Sequence, residues 1–290
     1  MGTHQYRIHG HFDSGTATIL EDSLIIAPPF FGVMDGVSGL YRPSEGPRFF
    51  DGMSGGQKVV RLVASEFLKA HAGEGLDDIL HKANSAIREF AEGTGLVLDR
   101  PDILPGTQFV VAKVGDDAVE VMQCGDSLAV WAFSDGRVGA LRNQTYAHER
   151  SQIAVLNDLL EKHHGDRDRV WEEYLPLTAS FRRARANSGG TEGYVILNGQ
   201  PEGERHWTRM TLAQNELSLL LMFTDGLVTL EETNDPEGMA ELVLGRYREG
   251  GWASAFKRIR DQEEQGKSMR HIDHAEATAV ALEFIDSGAA

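Results

Sequence analysis

Apolar residues follow two different periods along this chain. In 58–72 and 76–92 they recur every three or four positions, which predicts two helices that each bury one face. In the middle of the chain, short apolar segments alternate with turns rich in Gly and Asp, which predicts consecutive strands in a meander. The strands of this meander are 107–114, 118–124 and 128–133.

Further elements are predicted towards both ends of the chain. Apolar and β-branched residues in 18–27 and 30–34 flank Pro28-Pro29, which predicts two strands joined by a proline turn. Beyond residue 190, apolar segments predict three more strands, then two helices, then a closing strand. These elements are 193–198, 208–212, 217–223, 237–248, 252–263 and 277–284.

Helices and strands are segregated along the chain rather than strictly alternating. This order predicts an α+β layered fold instead of a doubly wound parallel sheet. The least periodic stretch, about 142–205, has helical spacing only around 153–162, and we predict that it is an insertion. Since no internal repeat or linker is evident, we expect one domain over 1–290.

Composition and charge narrow the function classes. Of the 290 residues, 41% are apolar and 25% are charged, which is typical of a soluble globular protein. The formal net charge of −16 disfavours nucleic acid and anionic membranes as partners, because both repel an acidic surface. No apolar run suffices for a membrane helix, the N-terminus lacks a signal-peptide core, and the lone Cys124 fits a reducing compartment. We therefore expect a cytoplasmic protein without nucleic-acid or membrane partners, of open oligomeric state.

Acidic residues recur beside glycines where predicted strands end. Hard divalent cations prefer oxygen ligands, and a carboxylate at the end of a buried strand is well held for that task. Two cations close together can activate a water and neutralise charge on a phosphoryl group. The alternative for each Asp-Gly pair is a plain turn, and spacing alone leaves both interpretations open. The positions are Asp35-Gly36, Gly125-Asp126 and Asp225-Gly226, with the acidic pair Glu21-Asp22 in or beside the first strand.

These same positions carry a family resemblance. In order along the chain, six segments resemble motifs of the type 2C metal-dependent protein serine/threonine phosphatases, and of bacterial-type members in particular. The segments span positions 21–280, nearly the whole chain. They are Glu21-Asp22-Ser23, Phe31-Gly32-Val33-Met34-Asp35-Gly36-Val37-Ser38-Gly39, Pro105-Gly106-Thr107, Cys124-Gly125-Asp126-Ser127, Phe223-Thr224-Asp225-Gly226-Leu227 and Glu276-Ala277-Thr278-Ala279-Val280.

The resemblance implies a fold and a reaction. The fold is a four-layer sandwich of two antiparallel sheets flanked by helix pairs, with a variable flap in the insertion at about 142–205. The reaction is hydrolysis of phosphoserine or phosphothreonine in signalling phosphoproteins. It depends on two Mg²⁺ or Mn²⁺ ions at one edge of the sandwich, and water is the nucleophile.

The resemblance also implies roles for individual residues. Asp35 bridges both metals, the Gly36 carbonyl joins one metal shell, and Asp225 ligates a metal. Glu21 and Asp22 hold waters next to the metals. The position of Asp126 corresponds to one that helps to hold a third, weaker metal in bacterial members.

Two departures from the family pattern bear on the activity. The family's phosphate-clamping arginine, four residues before the acidic pair, is replaced by Ala17, and Arg7, Arg42 or Arg48 are candidates to reach in from elsewhere. The family's closing-motif aspartate is replaced by Ala275.

Three outcomes stay open for the lost closing-motif carboxylate. Glu276 replaces it as a metal ligand, or Asp273 or His274 does, or nothing does. A third difference, Val37 after Asp35-Gly36 where animal members carry a histidine, points to a bacterial-type enzyme. The rival functional hypothesis is a phosphatase-like binding or regulatory protein with weak or no turnover.

Overall fold

Two five-stranded antiparallel sheets form the centre of the computed structural model, which describes residues 5–42, 44–190, 192–265 and 274–285. Sheet I has the strand order β1-β12-β11-β8-β9, and sheet II has the order β10-β7-β6-β3-β2. A short ribbon, β4–β5, precedes the first helix. The strands are β1 Gln5–Asp13, β2 Ser23–Ala27, β3 Phe30–Val37, β4 Phe49–Phe50, β5 Met53–Ser54, β6 Gly106–Val114, β7 Ala118–Cys124, β8 Leu128–Phe133, β9 Val138–Ala140, β10 Thr208–Ala213, β11 Leu217–Phe223 and β12 Ala277–Ile285.

Side-chain alternation along the strands explains the layers. On β6, Phe109 and Val111 pack with the helices outside sheet II, whereas Val110 and Ala112 pack between the two sheets. Alternate residues of β11 likewise face either the helix outside sheet I or the gap between the sheets. A strand with two buried faces has apolar residues at nearly every position, as the sequence of β11 does. The predicted α+β sandwich of two antiparallel sheets is confirmed.

Helices cover both outer faces. The long amphipathic pair α1 and α2 covers sheet II, and α5 covers sheet I. Helix α5 contains a break at Gly250 and Gly251, where Gly251 has φ 66°, so that the predictions of two helices over 237–248 and 252–263 are confirmed. The helices are α1 Gly55–Lys69, α2 Leu76–Gly93, α3 Tyr146–Lys162, α4 Arg167–Arg185 and α5 Pro236–Glu264. In the part of the chain described, no helix is long and apolar enough to cross a membrane.

The structure differs from the sequence prediction in several places. The strand predicted over 18–27 begins only at Ser23, and the short strands β4, β5 and β9 were not predicted. The edge strand β1 was not predicted, because its apolar positions alternate with polar ones and one face is exposed. The strand predicted at 193–198 is instead an extended loop with isolated bridges, including one between Thr107 and Leu197. The insertion at about 142–205 contains the helix pair α3 and α4; α4 is rich in charge and carries Pro176, which masks its helical period.

Candidate metal centre

Three carboxylates meet at one edge of the sandwich. Asp35 lies near the end of β3 in sheet II, and Asp225 follows β11 in sheet I. Asp126 lies in the turn between β7 and β8, where the chain crosses from one sheet to the other. One oxygen of each carboxylate lies within 4.8 Å of the others. Both sheets must therefore be in place before this cluster exists.

Two glycines allow the close approach of backbone at this edge. A Cβ atom on Gly36 would lie 2.6 Å from the carbonyl oxygen of Glu21, and one on Gly226 would lie 2.0 Å from the carbonyl oxygen of Glu276. Both distances are far below van der Waals contact, so any side chain there would push the neighbouring segments apart. The Asp-Gly pairs thus fulfil a packing requirement as well as ending strands.

Polar neighbours orient the buried Asp126. The amide of Gln108, with its nitrogen turned towards the carboxylate, donates to both oxygens of Asp126, at 2.6 Å for Oδ2. The hydroxyl of Thr145, at the start of α3, lies 3.4 Å from the same Oδ2. Sequence reasoning missed Gln108 and Thr145, because neither residue type signals such a role and Thr145 is distant in the chain.

Asp22 lies between the two sheets beside this cluster. Its Oδ2 accepts a hydrogen bond of 2.7 Å from the hydroxyl of Thr224, the residue before Asp225. Partial burial, followed by the negative charges of Asp35 and Glu276, raises the pKa of Asp22 well above its usual range. Crowding of carboxylates that raises a pKa in this way is relieved when a cation binds nearby.

Glu21 fastens the start of α1 to the acidic edge. Its Oε1 accepts hydrogen bonds from the hydroxyls of Ser38 and Ser54, and Ser54 is the N-cap of α1. The backbone N–H of Gly56 donates to the hydroxyl oxygen of Ser38 at 3.1 Å. Burial raises the pKa of Glu21, and the two serine hydroxyls and the nearby N–H of Gly56 oppose the rise. The carboxylate also lies at the positive end of a helix dipole.

Glu276 contacts the backbone of the acidic pair. Its Oε2 accepts the N–H of Glu21 at 2.8 Å, and its Oε1 accepts the N–H of Asp22 at 3.0 Å. Of the other two candidates for the lost closing-motif carboxylate, His274 places Nδ1 2.8 Å from Oε2 of Glu263, and Asp273 lies outside the described residues.

A cavity of about 890 Å³ opens from the carboxylate edge. Asp35 and Asp126 lie at one end, and the helix pair α3–α4 forms much of the remaining wall. Ala17 lines the same cavity. Within the described residues, the arginines on this wall are Arg167 and Arg182; Arg7, Arg42 and Arg48 are not among its lining residues.

Comparison with known proteins identifies the fold. Neither a protein-family model nor a curated protein matches the chain by sequence. Among solved structures, the catalytic domain of the serine/threonine protein phosphatase PstP, in complex with two manganese ions, is similar at a TM-score of 0.54 and 18% identity, covering 98% of this chain and 100% of that one.

Two further structures give the same answer. The serine/threonine phosphatase Stp1 from Staphylococcus aureus is 14% identical over 99% of this chain and 97% of its own, with a TM-score of 0.56. A serine-threonine phosphatase 2C from Toxoplasma gondii is 15% identical over 97% of this chain and 95% of its own, also with a TM-score of 0.56. This chain therefore has the fold of the type 2C serine/threonine protein phosphatases along essentially its whole length.

Proposed function

We propose that this protein is a metal-dependent phosphatase that hydrolyses phosphoserine or phosphothreonine in proteins. The observation that carries the proposal is the carboxylate cluster of Asp35, Asp126 and Asp225, contributed by both sheets and the turn that joins them. It lies at the mouth of a cavity large enough for a phosphorylated side chain. The shared fold, with a manganese-bound structure among the similar ones, supports the assignment.

The donor set fits hard divalent cations. All three side chains offer carboxylate oxygens, which suit Mn²⁺ and Mg²⁺ better than soft metals. Bringing three negative groups within 4.8 Å of one another is unfavourable without a compensating cation. When bound, such ions supply a water of lowered pKa and offset the negative charge of the phosphoryl oxygens. We propose two ions, with a third near Asp126.

Individual residues of the chain would bind the metal ions or orient water molecules. We propose that Asp35 and Asp225 are the principal ligands and that the Gly36 carbonyl joins them. Asp22 orients a water at the cluster, held in place by the hydroxyl of Thr224. Glu21 accepts two hydrogen bonds from serine hydroxyls, and since a carboxylate has about four acceptor sites, we propose that it also holds a second water.

For Glu276 we propose an indirect role. Both of its oxygens accept backbone N–H groups of the acidic pair, which positions that segment beside the cluster. Because both oxygens already accept hydrogen bonds, we propose that Glu276 holds Glu21 and Asp22 in place and does not replace the missing closing-motif aspartate as a metal ligand. The closing-motif carboxylate then has no replacement among the described residues.

The rival function is binding without turnover, and Ala17 and Ala275 are the observations that favour it. The arginine and the carboxylate that the family pattern expects at these positions are absent. A protein with a weaker metal site still recognises a phosphoprotein, so the two functions differ in turnover alone. As part of the main proposal, we assign the enzyme to signalling in the cytoplasm, because the single cysteine fits a reducing compartment.

The test is release of phosphate from p-nitrophenyl phosphate and from a phosphothreonine peptide. Assays with Mn²⁺, with Mg²⁺ and with chelator compare the wild type, Asp35→Asn and Asp116→Asn. Asp116 is exposed in the β6–β7 turn, so its variant makes the same chemical change away from the cavity. We expect metal-dependent turnover that falls by a factor of at least about 100 in Asp35→Asn and is unchanged in Asp116→Asn. If the wild type is folded but shows no turnover with any metal, the phosphatase proposal is wrong and the binding function is favoured.

A further inference from the structure

The wall of the cavity beside α3 and α4 carries a set of polar groups, and two of them have a buried nitrogen without a hydrogen-bond partner among the described residues. We call this set the flap cluster, and it consists of His148, Gln152, Thr178, Arg182 and Tyr194. His148 and Gln152 are one turn apart on α3, and Thr178 and Arg182 are one turn apart on α4. All five line the same cavity as Asp35 and Asp126.

Gln152 presents an unused donor. Its Oε1 accepts hydrogen bonds from the hydroxyl of Thr178 at 2.9 Å and from that of Tyr174 at 3.3 Å. Both hydroxyls belong to α4, and the amide oxygen faces that helix. Nε2 is buried and has no hydrogen-bond partner among the described residues. Buried polar groups normally have partners, so an unsatisfied N–H at a cavity wall indicates a missing acceptor.

His148 is a neutral polar group beside this donor. Only 8% of the residue is exposed, and its ring stacks on Tyr194 at 4.4 Å between centroids. Its Nδ1 has no hydrogen-bond partner in the part of the chain that the structure describes. Burial, with the positive charges of Arg182 and Arg185, lowers the pKa of His148 to about 4. The imidazole therefore has one N–H to donate at neutral pH and adds no competing charge.

Arg182 supplies an uncompensated positive charge. Its neighbours Arg183 and Arg185 form ion pairs with Asp102 and Glu192. Arg182 is half-buried, and its guanidinium makes no hydrogen bond or ion pair with any other residue that the structure describes. A guanidinium with five donors facing a cavity matches an oxyanion with several acceptor oxygens.

The flap cluster lies close to the carboxylate edge. Thr145, which contacts Asp126, begins the helix on which His148 and Gln152 follow by three and seven residues. At about 1.5 Å per residue, these two residues stand roughly 5 and 10 Å further along the helix axis. A long arginine side chain on the facing helix α4 spans part of this separation, and the cavity between them is continuous.

We propose that Arg182, assisted by Gln152 and His148, binds the phosphoryl group of the substrate and replaces the arginine that is absent at position 17. The inference rests on the proposed phosphatase function. The ligand is the phosphate dianion of phosphoserine or phosphothreonine, and the same group leaves as inorganic phosphate. The clamp thus comes from the flap rather than from the segment that contains Ala17.

Binding of inorganic phosphate to the Mg²⁺-loaded protein tests this directly. Isothermal calorimetry compares the wild type with Arg182→Ala, Arg182→Lys and Arg169→Ala. Arg169 is exposed on the same helix, and among the described residues its one ion-pair partner is Asp166. Its removal changes the net charge equally. We expect phosphate affinity to fall about ten- to a hundredfold in Arg182→Ala, less in Arg182→Lys, and not at all in Arg169→Ala.

Hydrolysis of the phosphothreonine peptide gives the second readout. We expect Arg182→Ala to raise KM and the inhibition constant of phosphate together, by similar factors. Equal phosphate affinity in wild type and Arg182→Ala overturns the inference, as does an equal loss in Arg169→Ala. If Arg182→Ala does not fold, the test uses Arg182→Lys instead. A phosphate affinity of Arg182→Lys equal to that of the wild type then overturns the inference.

The two proposals fail differently. If turnover depends on metal but phosphate affinity does not depend on Arg182, the phosphatase function stands and the proposed role of Arg182 is wrong. If phosphate affinity depends on Arg182 but no metal supports turnover, the anion site stands and the phosphatase function is wrong.

Discussion

The carboxylate side chains at the acidic edge of the sandwich make different kinds of contact. Asp35, Asp126 and Asp225 face one another, whereas Glu21 and Glu276 turn their oxygens towards backbone and hydroxyl donors. The sequence alone does not distinguish these carboxylates. In the structure, three form a cluster suited to cations, and the other two hold neighbouring loops in place. This division leads to a prediction at Glu276.

Replacing Glu276 by Gln should destabilise the fold more than it weakens the metal site. The amide keeps one acceptor oxygen, so one of the two N–H groups at Glu21 and Asp22 loses its partner. We expect the free energy of unfolding in urea to fall by about 1–3 kcal/mol. Manganese titration should show a smaller loss of affinity than Asp225→Asn does.

Glu120→Gln is the matched control for this change, because Glu120 is an exposed residue of β7. It should match the wild type in both measurements. If Glu276→Gln loses manganese as fully as Asp225→Asn does, Glu276 is itself a ligand and the tethering role is wrong.

At the scale of elements, the helix pair α3–α4 is joined to the body of the protein by a buried carboxylate. Asp102, which is 2% exposed, accepts two hydrogen bonds from Arg100, at 3.0 and 2.8 Å, and one from Arg183 of α4 at 2.9 Å. Burial opposes ionisation of Asp102, but the hydrogen bond from Arg100 and the charges of both arginines hold its pKa below the usual value. The position of the flap cluster depends on this attachment.

Asp102→Asn should loosen α4 without disturbing the sheets. The amide is uncharged and keeps one acceptor oxygen instead of two, so the three hydrogen bonds from Arg100 and Arg183 are weakened or lost. The two arginines, each nearly half-exposed, then turn to water. We expect amide hydrogen exchange in 167–185 to accelerate about tenfold or more, with unchanged exchange in β6 and β11. Asp99→Asn, at an exposed neighbouring position, should leave both regions unchanged. Uniform acceleration throughout the chain would show that Asp102 supports the whole fold instead.

At the scale of the whole molecule, the carboxylate cluster joins the two sheets. Asp35 belongs to sheet II and Asp225 follows a strand of sheet I, so cations held between them would link both halves of the sandwich. The unfolded chain does not bring these residues together, and metal binding therefore favours the folded state.

Mn²⁺ should raise the thermal midpoint, and chelator should reverse the rise. At a free concentration one hundred times Kd, a single site stabilises the fold by about 2.7 kcal/mol. Differential scanning calorimetry of the wild type, Asp225→Asn and Asp116→Asn separates specific from diffuse binding. We expect the rise in the wild type and Asp116→Asn only. An equal rise in Asp225→Asn would place the stabilising ions elsewhere on this acidic surface.

Elements whose signal is local could be predicted from the order of residues in the chain. The helical period of 58–72 and 76–92, the apolar strands around 107–133 and the strand at 217–223 all reappear in the structure within a few residues. These elements bury one face or two, and burial imposes its period directly on the sequence. The Asp-Gly positions were likewise visible, because strand ends are local features.

Tertiary structure alone decided what depends on distant neighbours. Strand β1 is defined by its pairing with β12, more than 250 residues away in the chain, and its own pattern is too polar to reveal it. Glu276 finds its partners 254 and 255 residues earlier. Arg182 is one of many arginines in the sequence. It is distinguished only by a fold that pairs its neighbours, gives its guanidinium no partner in the described part of the chain and turns it towards the cavity. Period and composition record how each element is buried, whereas the partners of a side chain are fixed only when the elements pack.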